Sequence, residues 1–460
     1  MMDSLLTPDV LEFLESGETK AIQEFCADTT PAVVAECIAA LTPDKLREIL
    51  LLCPREEQAE IFSFLDFEQQ RLLLQQLKRR EIAHILTDMA PDDRADLFKR
   101  LPEEEGEDIL PALAQAERED IRRLSSYEEG TAGAVMTSDY ATLSANITAA
   151  QAIEHLRNEA LDKEMIYYSY VIDRQRRLLG SVSLQDLIVA KRSETVEEIM
   201  YTDTIFTRAH DDQEDAARKI RLYDLLSIPV VDAEGALVGI ITCDDAIDVI
   251  TQEQTEDIEK LVAVAGSHET GVYMRTSSWK HFTNRSIWVA ALAVLGLVSG
   301  LIIQGYEKIL AEFTILAAFI PMLADSGGNT GCQASTLVIR ALALKEISPR
   351  DALFVLVKEF RVGLLLGLLL GVIAYLRVII FGGGSTMPPD ASLALVGLSI
   401  SVALCLQVIT ATIIGALLPF IASWFKCDPA VIASPALTTI VDITGLLIYF
   451  TTASLFLSIG

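Results

Sequence analysis

One carboxylate stands inside the last apolar run of this chain. The stretch Ala436-Leu437-Thr438-Thr439-Ile440-Val441-Asp442-Ile443-Thr444-Gly445 contains Asp442, and apart from that residue the sequence is uncharged from Pro429 onward. Such a run is long enough to cross a bilayer core, which takes about 20 residues. An acid at the centre of a membrane helix costs about 2.5 to 3.5 kcal/mol on insertion scales, so its presence needs a reason. Two reasons are open: a structural hydrogen bond to a neighbouring helix, or an ion site. Thr438 and Thr439 sit one turn earlier. Asp428 precedes Pro429, where an acid is an ordinary helix-start residue.

A second polar segment interrupts an earlier apolar run: Pro321-Met322-Leu323-Ala324-Asp325-Ser326-Gly327-Gly328-Asn329-Thr330-Gly331-Cys332-Gln333. Proline and three glycines weaken the helix of this crossing, and unwound backbone is tolerated at membrane depth only where other groups or a water-filled cavity satisfy it. Backbone carbonyls, Gly328 among them, with the Asn329 and Gln333 amides would then make a polar lining suited to a hydrated cation. Glycines also permit close helix packing, and both readings stay open. His281 is the last histidine, so the apolar half offers no imidazole, which favours hard cations over zinc or copper.

Acids also cluster outside the apolar half: Asp92 with Asp96, Asp212 with Glu214, Asp245 with Asp248, and Glu256 with Asp257. Like charges at such spacings repel unless something neutralises them. Solvated acidic faces are the plain alternative for any one of these residues.

The elements that position these groups follow from composition. The 460 residues carry a net charge of −28. Residues 1–285 hold 56 acids and 29 bases, whereas residues 286–460 hold nine and eight. An acidic half is therefore followed by an apolar one, a field that repels nucleic acid and anionic lipid and attracts cations. Seven cysteines without a CxxC pair predict free thiols in a reducing compartment. No basic region followed by an apolar core opens the chain, so no cleavable signal peptide is expected.

Residues 1–130 read as short amphipathic helices punctuated by proline, a helical superhelix. A clearer repeat follows: VMTSDYATLSANITAAQAIEHL matches IMYTDTIFTRAHDDQEDAARKI at an offset of 64, and YVIDRQRRLLGSVSLQDLI matches PVVDAEGALVGIITCDDAIDVI at an offset of 59. Each copy reads as helix, strand, turn at Asp173 or Asp232, strand, helix. These copies resemble a tandem pair of α/β CBS domains, at 131–196 and 197–254, which implies ligand sensing, commonly of adenine nucleotides such as ATP. A connecting helix is expected over 255–283. Five apolar spans follow, at about 286–306, 313–339, 361–380, 393–421 and 431–458, an all-α transmembrane domain over 284–460. Arg340, Lys345, Arg350, Lys358 and Arg361 flank one loop, which the positive-inside rule places in the cytosol together with the acidic half. An odd number of spans puts the C-terminus outside.

PMLADSGGNTGCQ, DPAVIASPALTTIVDITGLLIYF and the domain order together resemble the MgtE family of magnesium channels along essentially the whole chain. The resemblance implies a homodimer in the cell membrane with a pore along the subunit interface, Asp442 of each chain facing the ion and Asp428 nearer the cytosolic mouth. It further implies regulatory Mg2+ on Asp92, Asp96, Asp212, Glu214, Asp224, Asp245, Asp248, Glu253, Glu256 and Asp257, so that high cytosolic magnesium compacts the domains and closes the pore. Asp325 departs from the family pattern and reads either as an extra pore carboxylate or as a buried polar contact. Magnesium fits the chemistry, because an ion that dehydrates reluctantly suits two carboxylates acting through its water shell. Transport of other divalent cations such as Co2+ and Mn2+, or a non-transporting sensor, are the competing readings. The membrane half lacks the histidines of an HExxH metalloprotease, and no Walker A motif supplies ATP-driven pumping. The expectation is a channel rather than an enzyme.

Overall fold

The computed structural model describes residues 7–159, 163, 165–262, 264, 276–382, 388, 391–425 and 429–457. It divides into two compact units, Met1–Thr251 and Gln252–Gly460.

The first unit opens with ten short helices, from α1 (Thr7–Ser16) to α10 (Gln115–Leu124). Proline sets several of their starts. Pro31, Pro43 and Pro91 each stand in the first turn, where a missing N–H costs nothing. Asp66 splits one long polar-apolar run into two helices by accepting from the Gln69 amide at 3.0 Å. Ile22, Ile38, Ile49, Leu50 and Phe62 are fully buried in the common core. An Arg71 fork on Glu105, with Nη2 at 2.6 Å and Nε at 2.9 Å, ties distant turns of the array. The packing also corrects one expectation about thiols. Cys26 and Cys53 lie on neighbouring helices of this core, and the structure pairs them as a disulfide. Cys37, Cys243, Cys332 and Cys405 are in no disulfide, and Cys427 lies outside the described residues.

Two three-stranded sheets follow, and the internal repeat is realised in both. The first has β1 (Tyr140–Ser144), α11 (Ala149–Glu159), β2 (Met165–Ile172), β3 (Leu178–Ser183) and α12 (Leu184–Val189). The second has α13 (Val196–Ile199), β4 (Thr207–Arg208), α14 (Gln213–Leu222), β5 (Ser227–Val231), β6 (Leu237–Thr242) and α15 (Cys243–Leu261). In each sheet the first strand runs parallel to the second and the second antiparallel to the third. The matching aspartates build the hairpin turns. Asp173 accepts from the Gln175 and Arg177 amides at 2.8 and 2.9 Å, and Asp232 from Glu234 and Ala236 at 3.0 and 2.7 Å. α8 (Pro91–Arg100) and α10 dock on the second copy, where Ala95 and Leu124 share a core with Ala216, Ile220, Ile228 and Ile241. Helix α15 runs unbroken across position 255, where the sequence suggests that a separate connecting helix begins.

The second unit holds α16 (Ser278–Gly305), the short α17 (Glu307–Glu312) and α18 (Thr314–Ala317), then α19 (Ile320–Ala343), α20 (Ala352–Phe381), α21 (Leu393–Trp424) and α22 (Pro429–Leu457). Among the described residues, four segments are long and apolar enough to cross a membrane: Ser278–Gly305, Pro349–Phe381, Leu393–Trp424 and Leu437–Leu457. The second expected span, α19, falls short of them because of its polar central segment. Tyr306 stacks on Phe450 at 4.6 Å, and the buried Tyr449 hydroxyl donates to the Leu316 carbonyl at 2.9 Å. These contacts fasten α22 to the turns before α19.

Candidate ion site and acidic face

The polar segment of the second expected span does not unwind. It is continuous helix from Ile320 to Ala343, with Pro321 harmlessly in the first turn. The glycines serve close packing instead, and the physical reason is steric. A Cβ on Gly415 of α21 would lie 2.9 Å from the Gly331 carbonyl carbon and 3.0 Å from its Cα, so these backbones touch. A Cβ on Gly327 would come within 2.9 Å of Val441 Cγ1 and would overlap the Gln407 amide. One on Gly445 would overlap the same amide. Helices α19, α21 and α22 therefore meet at glycine notches, as small residues allow where packing drives association.

Gln407 occupies the notch between Gly327 and Gly445. It is 1% exposed, and its Nε2 donates to the Val441 carbonyl at 3.4 Å, one residue before Asp442. The sequence reading misses this residue. Its signal was visible, because Gln407 is an amide within a 32-residue apolar helix, the same kind of exception that marks Asp442.

Around that knot the site residues separate into two faces. Asp442 and Thr439 are half-buried on α22 and Thr438 is exposed. Gly328 is buried and faces α22, its Cβ position 3.6 Å from Thr438 Cγ2. Asp325, Asn329 and Gln333, four residues apart, form one exposed stripe along α19. Asn329 Nδ2 donates to Asp325 Oδ1 at 3.0 Å, so Asp325 is an exposed partner of Asn329 rather than a buried contact. Asp428 lies outside the described residues.

In the first unit, α8 and the start of α15 bring acids face to face. Asp93 keeps an exposed side chain, yet the protein around it, then the negative charge of Asp96, with Asp248 and Asp244 adding, pushes it up to about 6 against a hydrogen bond from Ser63. Asp245 is also pushed up to about 6, by burial and by Asp244 and Asp93, against a hydrogen bond from the Thr242 hydroxyl. Asp96 is raised by its crowded surroundings even though 58% of its side chain stays exposed, and the Lys99 ammonium at 3.5 Å opposes the shift. Asp245 and Asp248 of the expected set thus face Asp93 on α8, whereas the acid that acts on Asp96 is Glu129. Asp93 and Asp244 belong to that face without having been singled out. Asp92 is half-buried in the same first turn of α8.

The other acids are placed elsewhere. Asp212 caps α14, accepting from the Glu214 amide at 2.8 Å. Asp224 ends that helix in a left-handed conformation, φ +51°. Glu253, Glu256 and Asp257 continue along α15 in the second unit, with Glu256 bound to Lys260 at 2.7 Å. Among the described residues, no three acidic, histidine or cysteine side chains converge closely enough to hold a metal ion.

Comparison with known proteins supplies the context. The family pattern of MgtE, a divalent cation transporter, matches residues 320–452, that of the MgtE intracellular N domain residues 29–130, and that of the CBS domain residues 132–193 and 196–252. The magnesium transporter MgtE of Thermus thermophilus is 37% identical over 459 residues, covering 99% of both chains. Its namesake from Bacillus subtilis is 36% identical over 337 residues, 73% of this chain and 72% of that one. Among solved structures, the cytosolic domain of the Mg2+ channel MgtE in complex with ATP is similar with a TM-score of 0.51 and 35% identity, over 53% of this chain and 99% of that one.

Proposed function

Because this chain belongs to the MgtE family of divalent cation transporters, we propose that it carries Mg2+ passively across the membrane into the cytosol, with Asp442 as the carboxylate that meets the ion. The observation that carries this reading is the Asp325–Asn329–Gln333 stripe, exposed on α19, the helix that packs through Gly328 on Thr438 of α22, one turn before the half-buried Asp442. Polar side chains facing hydrocarbon are costly, so such a stripe has to face water or another copy of the chain. In a homodimer whose pore runs along the subunit interface, both are met, and two Asp442 carboxylates flank one path. Thr438, Thr439, Gly328 and, nearer the cytosolic mouth, Asp428 complete that path. Carboxylate and amide oxygens suit a hard ion that keeps part of its water shell. Co2+ and Mn2+ are the competing cargoes.

The acidic face between α8 and α15 is the proposed sensor. Its donors are carboxylate oxygens already crowded enough to lift Asp93 and Asp245 to about 6, which fits a hard divalent cation. Bound Mg2+ would supply the positive charge that lets these acids stay together. Without it, Asp93 repels Asp244, Asp245 and Asp248, and α8 loosens from the second CBS copy. Asp92, Asp212, Glu214, Asp224, Glu253, Glu256 and Asp257 belong to the same proposal through the family resemblance. The cleft of about 310 Å3 lined by Leu178, Thr202, Phe206 and Asp232 is a candidate seat for ATP. The chain sits in the cell membrane with its acidic half cytosolic and its C-terminus outside.

Mg2+ flux into proteoliposomes tests the pore: Asp442→Ala should abolish it, and wild-type flux in that variant would overturn the assignment. Competition by Co2+ and Mn2+ in the same assay ranks the cargoes.

A further inference from the structure

We propose that the cleft between α10 and the hairpin of the first CBS copy is an anion site that takes a phosphate group of a small molecule. The cleft encloses about 330 Å3, and Asp120, Arg123, Ser138, Tyr140, Lys163 and Arg176 are among the residues that line it.

The internal repeat exposes what is unusual about Arg176. The hairpins Asp173–Arg177 and Asp232–Ala236 are built alike, and both turns require a left-handed residue at the same place. The second copy meets the requirement with Gly235, φ +84°; the first places Arg176 there, φ +61°. A non-glycine residue in that conformation costs about 1 to 2 kcal/mol. The chain places a long cation at a position where glycine is unstrained.

The surroundings give that cation a use. Its Nη2 donates to the Tyr140 hydroxyl at 2.6 Å and to the Leu237 carbonyl at 3.4 Å, both neutral acceptors. Among the described residues no carboxylate pairs with it, in a chain of net charge −28. Across the cleft, Asp120 is already held by Arg123 at 2.5 Å and by the Ser138 hydroxyl at 2.8 Å, with Arg94 3.9 Å away. Lys163 stands 3.8 Å from Asp139, and Glu159 at the rim has His155 at 3.4 Å. Among the residues lining the cleft, Arg123, Lys163 and Arg176 thus outnumber Asp120 and Glu159. Guanidinium groups match phosphate oxygens in a planar fork, which a lone ammonium cannot do.

The contrast with the other copy narrows the ligand. There the equivalent cleft also has Arg208, Asp232 and Glu234, but Leu178, Leu179, Phe206 and Val231 add apolar surface on which a ring can lie. Here Thr142 stands in place of Phe206, and hydroxyls and charges line the cleft. It recognises the anion and not a base. Because α10 belongs to the helical array and Arg176 to the CBS pair, the bound anion bridges the two within the first unit.

Calorimetric titration of the full chain in detergent, free of divalent cations, with inorganic phosphate, diphosphate and ATP tests this. Diphosphate should bind wild type, and Arg176→Gly and Arg123→Gln should each weaken it at least tenfold. Lys191→Gln, on the same CBS copy with 84% of its side chain exposed, should not. Arg176→Gly introduces the residue that the sister turn already uses, so its melting temperature should equal or exceed that of wild type. ATP binding that weakens in parallel identifies a nucleotide's phosphates as the source, whereas ATP binding indifferent to Arg176→Gly identifies a free anion. No binding of any of the three anions to wild type, or undiminished diphosphate binding by Arg176→Gly, overturns the proposal. Neither result depends on which cation the membrane half carries.

Discussion

Gly415→Ala probes the contact on which the membrane site is built. The added methyl would stand 2.9 Å from the Gly331 carbonyl carbon and 3.0 Å from its Cα, where ordinary contact begins near 3.4 Å. These are backbone atoms of α19, so no side chain can swing away. The methyl also overlaps the Gly331 carbonyl oxygen, so helices α19 and α21 have to part by roughly 1 Å, and overpacking of this kind costs about 1 to 3 kcal/mol. Alanine's better helix propensity returns at most about 1 kcal/mol. The parting carries Gly328 away from Thr438, one turn before Asp442, so flux should fall together with stability. Gly296→Ala on α16 is the control, since nothing lies within 4 Å of its Cβ position. The assay is thermal melting in detergent alongside Mg2+ uptake by proteoliposomes. A Gly415→Ala protein with the melting temperature and flux of wild type would refute the glycine-notch account.

Other predictions concern single groups. Asp93 and Asp245 carry folded values of about 6, above the ordinary 3.8, so the packing of α8 on α15 is favoured at low pH and weakens as pH rises through about 6. Melting temperature in Mg2+-free buffer should fall between pH 5 and 7, and fall less in Asp93→Asn; an identical slope in both proteins would contradict the assigned repulsion. The same variant should need less cytosolic Mg2+ to close the pore, read as inhibition of flux. Asp325→Asn keeps an acceptor for Asn329 and should retain most of the flux, whereas a loss as deep as that of Asp442→Ala would make Asp325 a pore carboxylate. Tyr449→Phe removes the donor to the Leu316 carbonyl and should cost about 1 kcal/mol, seen as a lowered melting temperature.

Much of this protein is local and was therefore open to inspection in one dimension. Pro31, Pro43 and Pro91 start helices because the proline ring has no N–H to bond, wherever the helix later packs. The Asp173 and Asp232 turns bond their own amides two and four residues on, so their repeat signals the paired sheets directly. A lone acid in an apolar run is costly in any packing, and Asp442 stood out for that reason.

Local chemistry along the chain is enough for the order of domains, the proline-set helix starts, the repeat and the carboxylate in the final span. Tertiary structure decided which groups meet. Asp92 and Asp93 are neighbours in sequence but point about 100° apart on α8, and only docking on the second CBS copy selects Asp93 to face α15. Glycines in α19 are compatible with either a broken helix or a close one; contact with Gly415 and Gln407 selects the second. Cys26 finds Cys53, and Arg176 finds Tyr140, across stretches that no spacing rule connects. Short-range bonds are written along the chain, whereas repulsion, close packing and unpaired charge depend on distances that exist only after folding.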